Sequence, residues 1–213
     1  GACVWVETNE KVDPALDGKL VHMSGKADTQ DVLADAAFGV SATALALARK
    51  VEMYQWKENC ETTEKKNVGG SVTKTKTYTY EQVWSERPIS SSSFKEEGHE
   101  NPGMIEFPSR EQRAEHVRFG AFRLGERQIA RIGGERAFEF PADFTCRVAR
   151  VQMQGTTIYV PNRATRENAL NVRDVASEPR IGDMRVSFSV IYPHEISLVA
   201  QQRGDTFVGY TAK

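Results

Sequence analysis

From Leu45 to Cys60 the sequence alternates with period two: Glu52, Tyr54, Trp56 and Glu58 fall on one parity, Val51, Met53 and Gln55 on the other. That period belongs to a strand with two different faces, because successive side chains of extended backbone point to opposite sides. A second run, Val72 to Trp84, sets Lys74, Lys76, Tyr78, Tyr80 and Trp84 against Thr73, Thr75, Thr77 and Thr79. Between them, Glu64 to Ser71 is polar and carries Gly69-Gly70, the composition of a turn. Folding the runs back on each other predicts an antiparallel hairpin. With Glu58 opposite Lys74, Trp56 opposite Lys76, Tyr54 opposite Tyr78 and Glu52 opposite Tyr80, each pair contributes roughly 0.2–1 kcal/mol. A slip of the pairing serves nearly as well, so the pattern predicts the hairpin and not its register.

At 213 residues the chain is long enough to bury a core without a metal or disulfide staple. Its 28 basic and 29 acidic residues nearly cancel, which excludes a general nucleic-acid binder held by excess positive charge. Arg110 to Arg136 is the one locally basic stretch, rich in arginine and free of lysine, and reads as a solvated face with room for an anionic partner. Cys3, Cys60 and Cys146 are far apart and odd in number, against a disulfide framework, although one bridge stays open in an oxidising compartment. No run approaches the roughly 18–20 apolar residues of a membrane helix. The start at Gly1-Ala2-Cys3, without methionine, points to a piece of a longer protein whose remainder spans a membrane.

Along the chain, Ala2 to Glu7 and Lys19 to Gly25 read as strands joined through a turn at Asp17-Gly18. Asp28 to Phe38 reads as an irregular connection. Arg87-Pro88 and Ser90 to Ser93 interrupt regular structure, and Asn101-Pro102-Gly103 favours a β-turn. Ser109 with Gln112 makes a weak capping box; His116 to Leu124 reads as a strand, and Gly125 to Gly134 as a short helix ended by glycine. Phe144 to Gln152, Thr156 to Val160, Met184 to Ile191 and Glu195 to Gln201 read as strands, with Arg163 to Val175 able to hold a helix. Gly204-Asp205 turns the chain into a last strand, Thr206 to Tyr210. The expected class is α+β, predominantly antiparallel β, with a long central hairpin and a few short helices.

Little here resembles a reaction centre. His99, between Glu97 and Glu100 in a glycine- and proline-bounded loop, has the residue types of a metal ligand or acid–base pair. The further ligands a zinc site needs are not spaced around it, and His22, His116 and His194 stand alone. The stronger expectation is that His99 and Asn101 hold their loop by hydrogen bonds. Ser90 to Ser93 lacks a nucleophile elbow, and neither Gly69-Gly70 nor Gly133-Gly134 belongs to a phosphate loop. Tyr54, Trp56, Tyr78, Tyr80 and Trp84 form an aromatic ladder, suited to stabilising a sheet or to packing against another surface.

Val51-Glu52-Met53-Tyr54-Gln55-Trp56 after Gly18-Lys19-Leu20-Val21-His22, then Tyr78-x-Tyr80-x-x-x-Trp84 and Gly98-His99-x-Asn101-Pro102, form an ordered series. Gly182-Asp183-x-Arg185-Val186-Ser187-Phe188 and Gln202-Arg203-Gly204-Asp205 complete it. In order and spacing, from about Gly18 to Lys213, the series resembles the transmembrane protein 43 (LUMA) family. The resemblance implies one extramembrane domain over residues 1–213, between membrane helices that this chain lacks. It implies a place on the lumenal side of the endoplasmic reticulum and nuclear envelope, or on the periplasmic side in a bacterium. It further implies self-association in a scaffolding role, with other membrane or envelope proteins as partners, and neither enzymatic activity nor a cofactor. Arg110 to Arg136 and Asn162 to Val175 depart from the family pattern.

The expected function is therefore assembly: a homo-oligomer that organises membranes, with Tyr54, Trp56, Tyr80, Trp84, His99 and Asn101 as candidate interaction residues. The rival is a small-molecule or lipid-binding sensor, with the same aromatics and the His99 loop lining a pocket.

Overall fold

The computed structural model describes residues 3–168 and 173–209. In chain order the strands are β1 (Val4–Val6), β2 (Leu20–Asp28), β3 (Val32–Asp35), β4 (Val40–Thr43), β5 (Ala46–Lys66), β6 (Val72–Ser85), β7 (Arg110–Arg113) and β8 (Val117–Phe119). They continue with β9 (Phe122–Leu124), β10 (Arg136–Ala137), β11 (Gln152–Gln154), β12 (Thr157–Val160), β13 (Met184–Ile191), β14 (His194–Arg203) and β15 (Thr206–Val208). Two short helices accompany them, α1 (Glu126–Ile129) and α2 (Arg163–Asn168). The fold is mostly antiparallel β with few short helices. The described residues group into two compact units, one from 3–49, 110–147 and 188–209, the other from 50–109, 148–168 and 173–187.

In the first unit the sheet order is β15-β14-β2-β8-β9, with β1 pairing β2 in parallel. Period two decides the faces: Val21, Met23 and Ala27 of β2 are buried, while His22, Ser24 and Lys26 point away from the core. The core gathers Leu45, Phe119, Phe122, Ile129, Ala200 and Phe207, with the Phe122 and Phe207 rings 4.8 Å apart. At roughly 1.5–3 kcal/mol for each large apolar side chain, burial of this kind is what holds so strand-rich a unit together.

Several elements depart from expectation. Asp28 to Phe38 is not an irregular connection: it holds β3, paired with β4 through Val32↔Thr43 to Asp35↔Val40. Ser109 caps no helix; its Oγ accepts from the Val51 N–H at 2.9 Å in the second unit, and β7 follows it. His116 to Leu124 is two strands, β8 and β9, turned at Gly120 with φ +61°. The expected strand over Phe144 to Gln152 begins only at Gln152. Asn101-Pro102-Gly103 bends without a hydrogen-bonded turn, and the Asn101 side chain bonds β5. The expected helix over Arg163 to Val175 is described for Arg163–Asn168, and 169–172 lie outside the described residues. Ala2 and Tyr210, at the ends of two expected strands, also lie outside them.

The second unit carries the order β11-β12-β13-β5-β6. β5 and β6 pair antiparallel from Met53↔Ser85 to Lys66↔Val72, in neither register that the alternation offered. Tyr54 faces Trp84, Trp56 faces Gln82, Glu58 faces Tyr80 and Glu64 faces Lys74. The turn sets this. Asn67 N–H donates to Ser71 O at 2.8 Å, Gly70 N–H donates to Asn67 O at 3.1 Å, and Gly69 and Gly70 take φ +117° and +86°. Only glycine enters that backbone region at no steric cost, so the loop closes in fewer residues than its polar composition indicates.

Candidate functional site

The parity that carries the aromatics is one face of the β5–β6 pair. Val51, Met53 and Gln55 are buried on the other face, while Tyr54, Trp56, Tyr80 and Trp84 are each half-buried. Tyr54 and Trp84, cross-strand partners, have ring centroids 5.0 Å apart. The Arg185 guanidinium of β13 lies 4.8 Å from the Trp84 ring centre, and its Nε donates to Glu52 Oε2 at 2.7 Å. Charge, cation and ring are therefore stacked in a row at one end of the face. That hydrogen bond holds the Glu52 carboxyl below its ordinary range against the opposing effect of burial.

At the other end His99 is the centrepiece. Its ring stacks on Tyr80 with centroids 3.8 Å apart and stands edge-on to Trp56 at 4.7 Å. Phe94 approaches Tyr80 from the same loop at 5.8 Å. The Tyr80 hydroxyl donates to Glu58 Oε2 at 2.6 Å and accepts from the Glu96 N–H at 3.0 Å. The Lys95 N–H donates to Glu58 Oε2 at 2.7 Å. The Tyr80 hydroxyl, and next the Lys95 N–H, lower the Glu58 pKa; burial, and next the Glu58 carboxylate, raise that of Tyr80.

Two amide side chains pin the loop between β6 and β7. Gln55, fully buried, donates through Nε2 to Arg87 O at 3.0 Å and accepts through Oε1 from the Ile89 N–H at 2.7 Å. Asn101 accepts from the Trp56 N–H at 2.7 Å and donates to Trp56 O at 2.8 Å and Ile89 O at 3.1 Å. The expectation that Asn101 holds its loop is met at Ile89 O, and its other two bonds go to β5. The His99 ring stacks and also meets its own loop as expected, with Nδ1 3.5 Å from Glu96 O. Among the described residues no group of three or more His, Cys, Asp or Glu side chains is placed to hold a metal ion.

Tyr54, Trp56, Tyr80, Trp84 and His99 thus converge on one face, and Asn101 bonds the backbone edge of β5 beside it. Glu58 and Phe94 join them unforeseen, while Gln55 braces the same loop from the buried face; Glu58 shares the parity of the aromatics, the one signal that could have found it. Arg185 and Glu52 also belong to the site, and nothing local marks Arg185, which arrives from β13. The Tyr80 hydroxyl, Glu58, Asn101 and Gln55 are spent on internal ties, so the arrangement can present braced rings and their edges to a partner.

The profile of the transmembrane protein 43 family matches residues 53–213. The chain belongs to the transmembrane protein 43 family. It is 32% identical over 213 residues to Transmembrane protein 43 of Homo sapiens and 31% identical to that of Mus musculus, with 95% of this chain and 50% of each relative covered. The homolog from Drosophila melanogaster is 27% identical over 207 residues. The chain spans about half the length of these relatives, covering 50% and 51% of them. No solved structure matches it. The family is one of membrane proteins by name, and among the described residues no helix is long and apolar enough to cross a membrane. The aromatic face lies almost wholly inside the matched segment, Glu52 alone preceding it.

Proposed function

We propose that this transmembrane protein 43 relative contributes an extramembrane, non-catalytic domain that organises membranes through self-association and protein contacts. Its place is the lumenal side of the endoplasmic reticulum and nuclear envelope, or the periplasmic side in a bacterium. The observation that carries the reading is the half-buried aromatic face of β5 and β6, braced by Asn101, Gln55 and the Tyr80–Glu58 bond. Rings held in place before a partner arrives lose little side-chain entropy on binding, and Tyr and Trp are the residues that dominate such contacts. A scaffold needs that kind of surface and no reacting group.

The test is light scattering across a wide concentration range, with and without liposomes, on the wild-type chain and on Trp56→Ala/Trp84→Ala. The expected result is an oligomer that grows with concentration and is lost in the variant while its circular dichroism is unchanged. A strict monomer, or a variant that associates as well as wild type, would remove the aromatic face from the assembly.

A further inference from the structure

In the first unit, part of one edge of β14 has no strand partner among the described residues, and its residues play no part in the aromatic face. β14 pairs β2 from His194↔Ala27 to Gln201↔Leu20, but β15 covers its other edge only from Gln201 to Arg203. From His194 to Ala200 that edge has no strand partner among the described residues. The polarity of the ladder fixes which groups are open. Gln202 N–H donates towards β2, to Lys19 O at 3.0 Å. By the alternation of antiparallel pairing, the amides and carbonyls of Glu195, Ser197 and Val199 therefore face outward. These three residues are exposed. An edge of this kind is normally blunted by lysine, proline or a bulge. His194-Glu195-Ile196-Ser197-Leu198-Val199-Ala200 contains neither residue, and its pairing with β2 runs without a bulge.

The edge opens into a groove of about 650 Å³ whose far wall is α1 and the turn after it, through Arg127, Arg131 and Ile132. That wall is fixed in place: Arg113 donates to both Ile129 O and Ile132 O at 3.0 Å, and Gln128 Nε2 donates to Phe207 O at 3.3 Å. Arg127 and Arg131 are exposed, and neither guanidinium meets a carboxylate among the described residues. Glu195 is the one acidic side chain in the lining, and its ladder partner is Lys26 on the face away from the core.

We infer that this edge and wall form a docking groove for an extended acidic peptide segment of a partner protein, which adds a strand to β14. An open row of backbone donors and acceptors opposite a rigid wall is the geometry of strand addition, in which main-chain hydrogen bonds supply affinity and side chains supply choice. A segment of about seven residues fills the edge at roughly 3.3 Å per residue. Its carboxylates face Arg127 and Arg131. An acyl chain would leave the outward amides unpaired, so a peptide suits the groove better than a lipid.

The probe is a ten-residue peptide alternating glutamate and valine, with a lysine–valine counterpart, added to the full chain while amide hydrogen exchange is followed. The expected result is one-to-one binding of the glutamate peptide, with slowed exchange at Glu195, Ser197 and Val199. Val199→Pro removes an outward N–H without cutting the ladder to β2, and should weaken binding at least tenfold. Arg127→Glu/Arg131→Glu should do the same, which covers the case of a proline variant that does not fold. Protection of those amides in the free chain would overturn the proposal by showing the edge already covered. So would equal binding of the lysine peptide, binding of anionic vesicles alone, protection that appears only with self-association, or wild-type affinity in both variants.

Discussion

Asn101 completes the backbone bonding of Trp56: its side-chain amide accepts the Trp56 N–H and donates to the Trp56 carbonyl, at 2.7 and 2.8 Å. Next along β5, Tyr54 N–H donates to Asp183 O at 2.8 Å and Tyr54 O accepts from the Gly182 N–H at 2.9 Å, just ahead of β13. The asparagine thus supplies one more rung where the strand has ended, and brings His99, two residues earlier, onto Tyr80 and Trp56. Asn101→Ala leaves two strand groups without their partner and should cost about 1–3 kcal/mol. Urea unfolding measures that cost, and tryptophan emission should shift red as the His99 edge leaves Trp56. A variant with unchanged stability and emission would mean that the loop is held without Asn101.

The Glu52–Arg185 bond predicts a dependence on acid. Because the folded pKa of Glu52 lies below its ordinary 4.5, its contribution is present in full above the unfolded value and is lost as pH falls through the folded one. Thermal melting between about pH 5 and about pH 3 should therefore drop more steeply for the wild-type chain than for Glu52→Gln, whose amide has no charge to lose. Parallel pH profiles would show that the bond adds nothing to stability.

How much of this was legible in the residues follows from what each feature depends on. The alternation at Val51 to Glu58 could be read because one face is buried and the other is not, a local property of period two. The register could not, since Glu, Lys, Thr and Tyr make acceptable pairs in several alignments and the choice falls to the backbone of Asn67 to Ser71. β3, β4 and β7 were missed because strands of four residues hardly show a period, and their partners lie elsewhere in the sequence. Tyr80, His99 and Asn101 stood out singly. Their stacking comes from folding the loop back over β5, which no spacing encodes.

A buried ion pair escaped notice for the same reason. Arg49 Nη1 donates to both oxygens of Asp35, at 3.0 and 2.7 Å, with side chains only 8% and 3% exposed. Asp35 Oδ1 also accepts from the Phe38 N–H at 3.1 Å. Asp35→Leu alone removes the carboxylate that the buried Arg49 guanidinium bonds and should cost about 3–5 kcal/mol, whereas adding Arg49→Met should restore much of it. The comparison is a double-mutant cycle in urea. Additive losses would show that the two charges do not depend on each other.

Gly120 is the turn between β8 and β9, at φ +61°, and a Cβ there would lie 2.3 Å from the backbone oxygen of Asn9. That oxygen already accepts from the Ala121 N–H at 2.9 Å, so it cannot retreat without breaking a bond that ties the Asn9 segment to the turn. Gly204 has nearly the same backbone, φ +57°, with nothing within 4 Å of its Cβ position. The pair separates crowding from dihedral strain. Strain alone costs of order 1–3 kcal/mol for a residue with a side chain, and asparagine tolerates the region best. Gly204→Asn should therefore melt close to wild type, while Gly120→Asn should lose several degrees more, because it adds displacement of Asn9 to the same dihedral cost. Equal melting temperatures for the two variants would mean that the Asn9 segment yields freely and that Gly120 serves the turn alone.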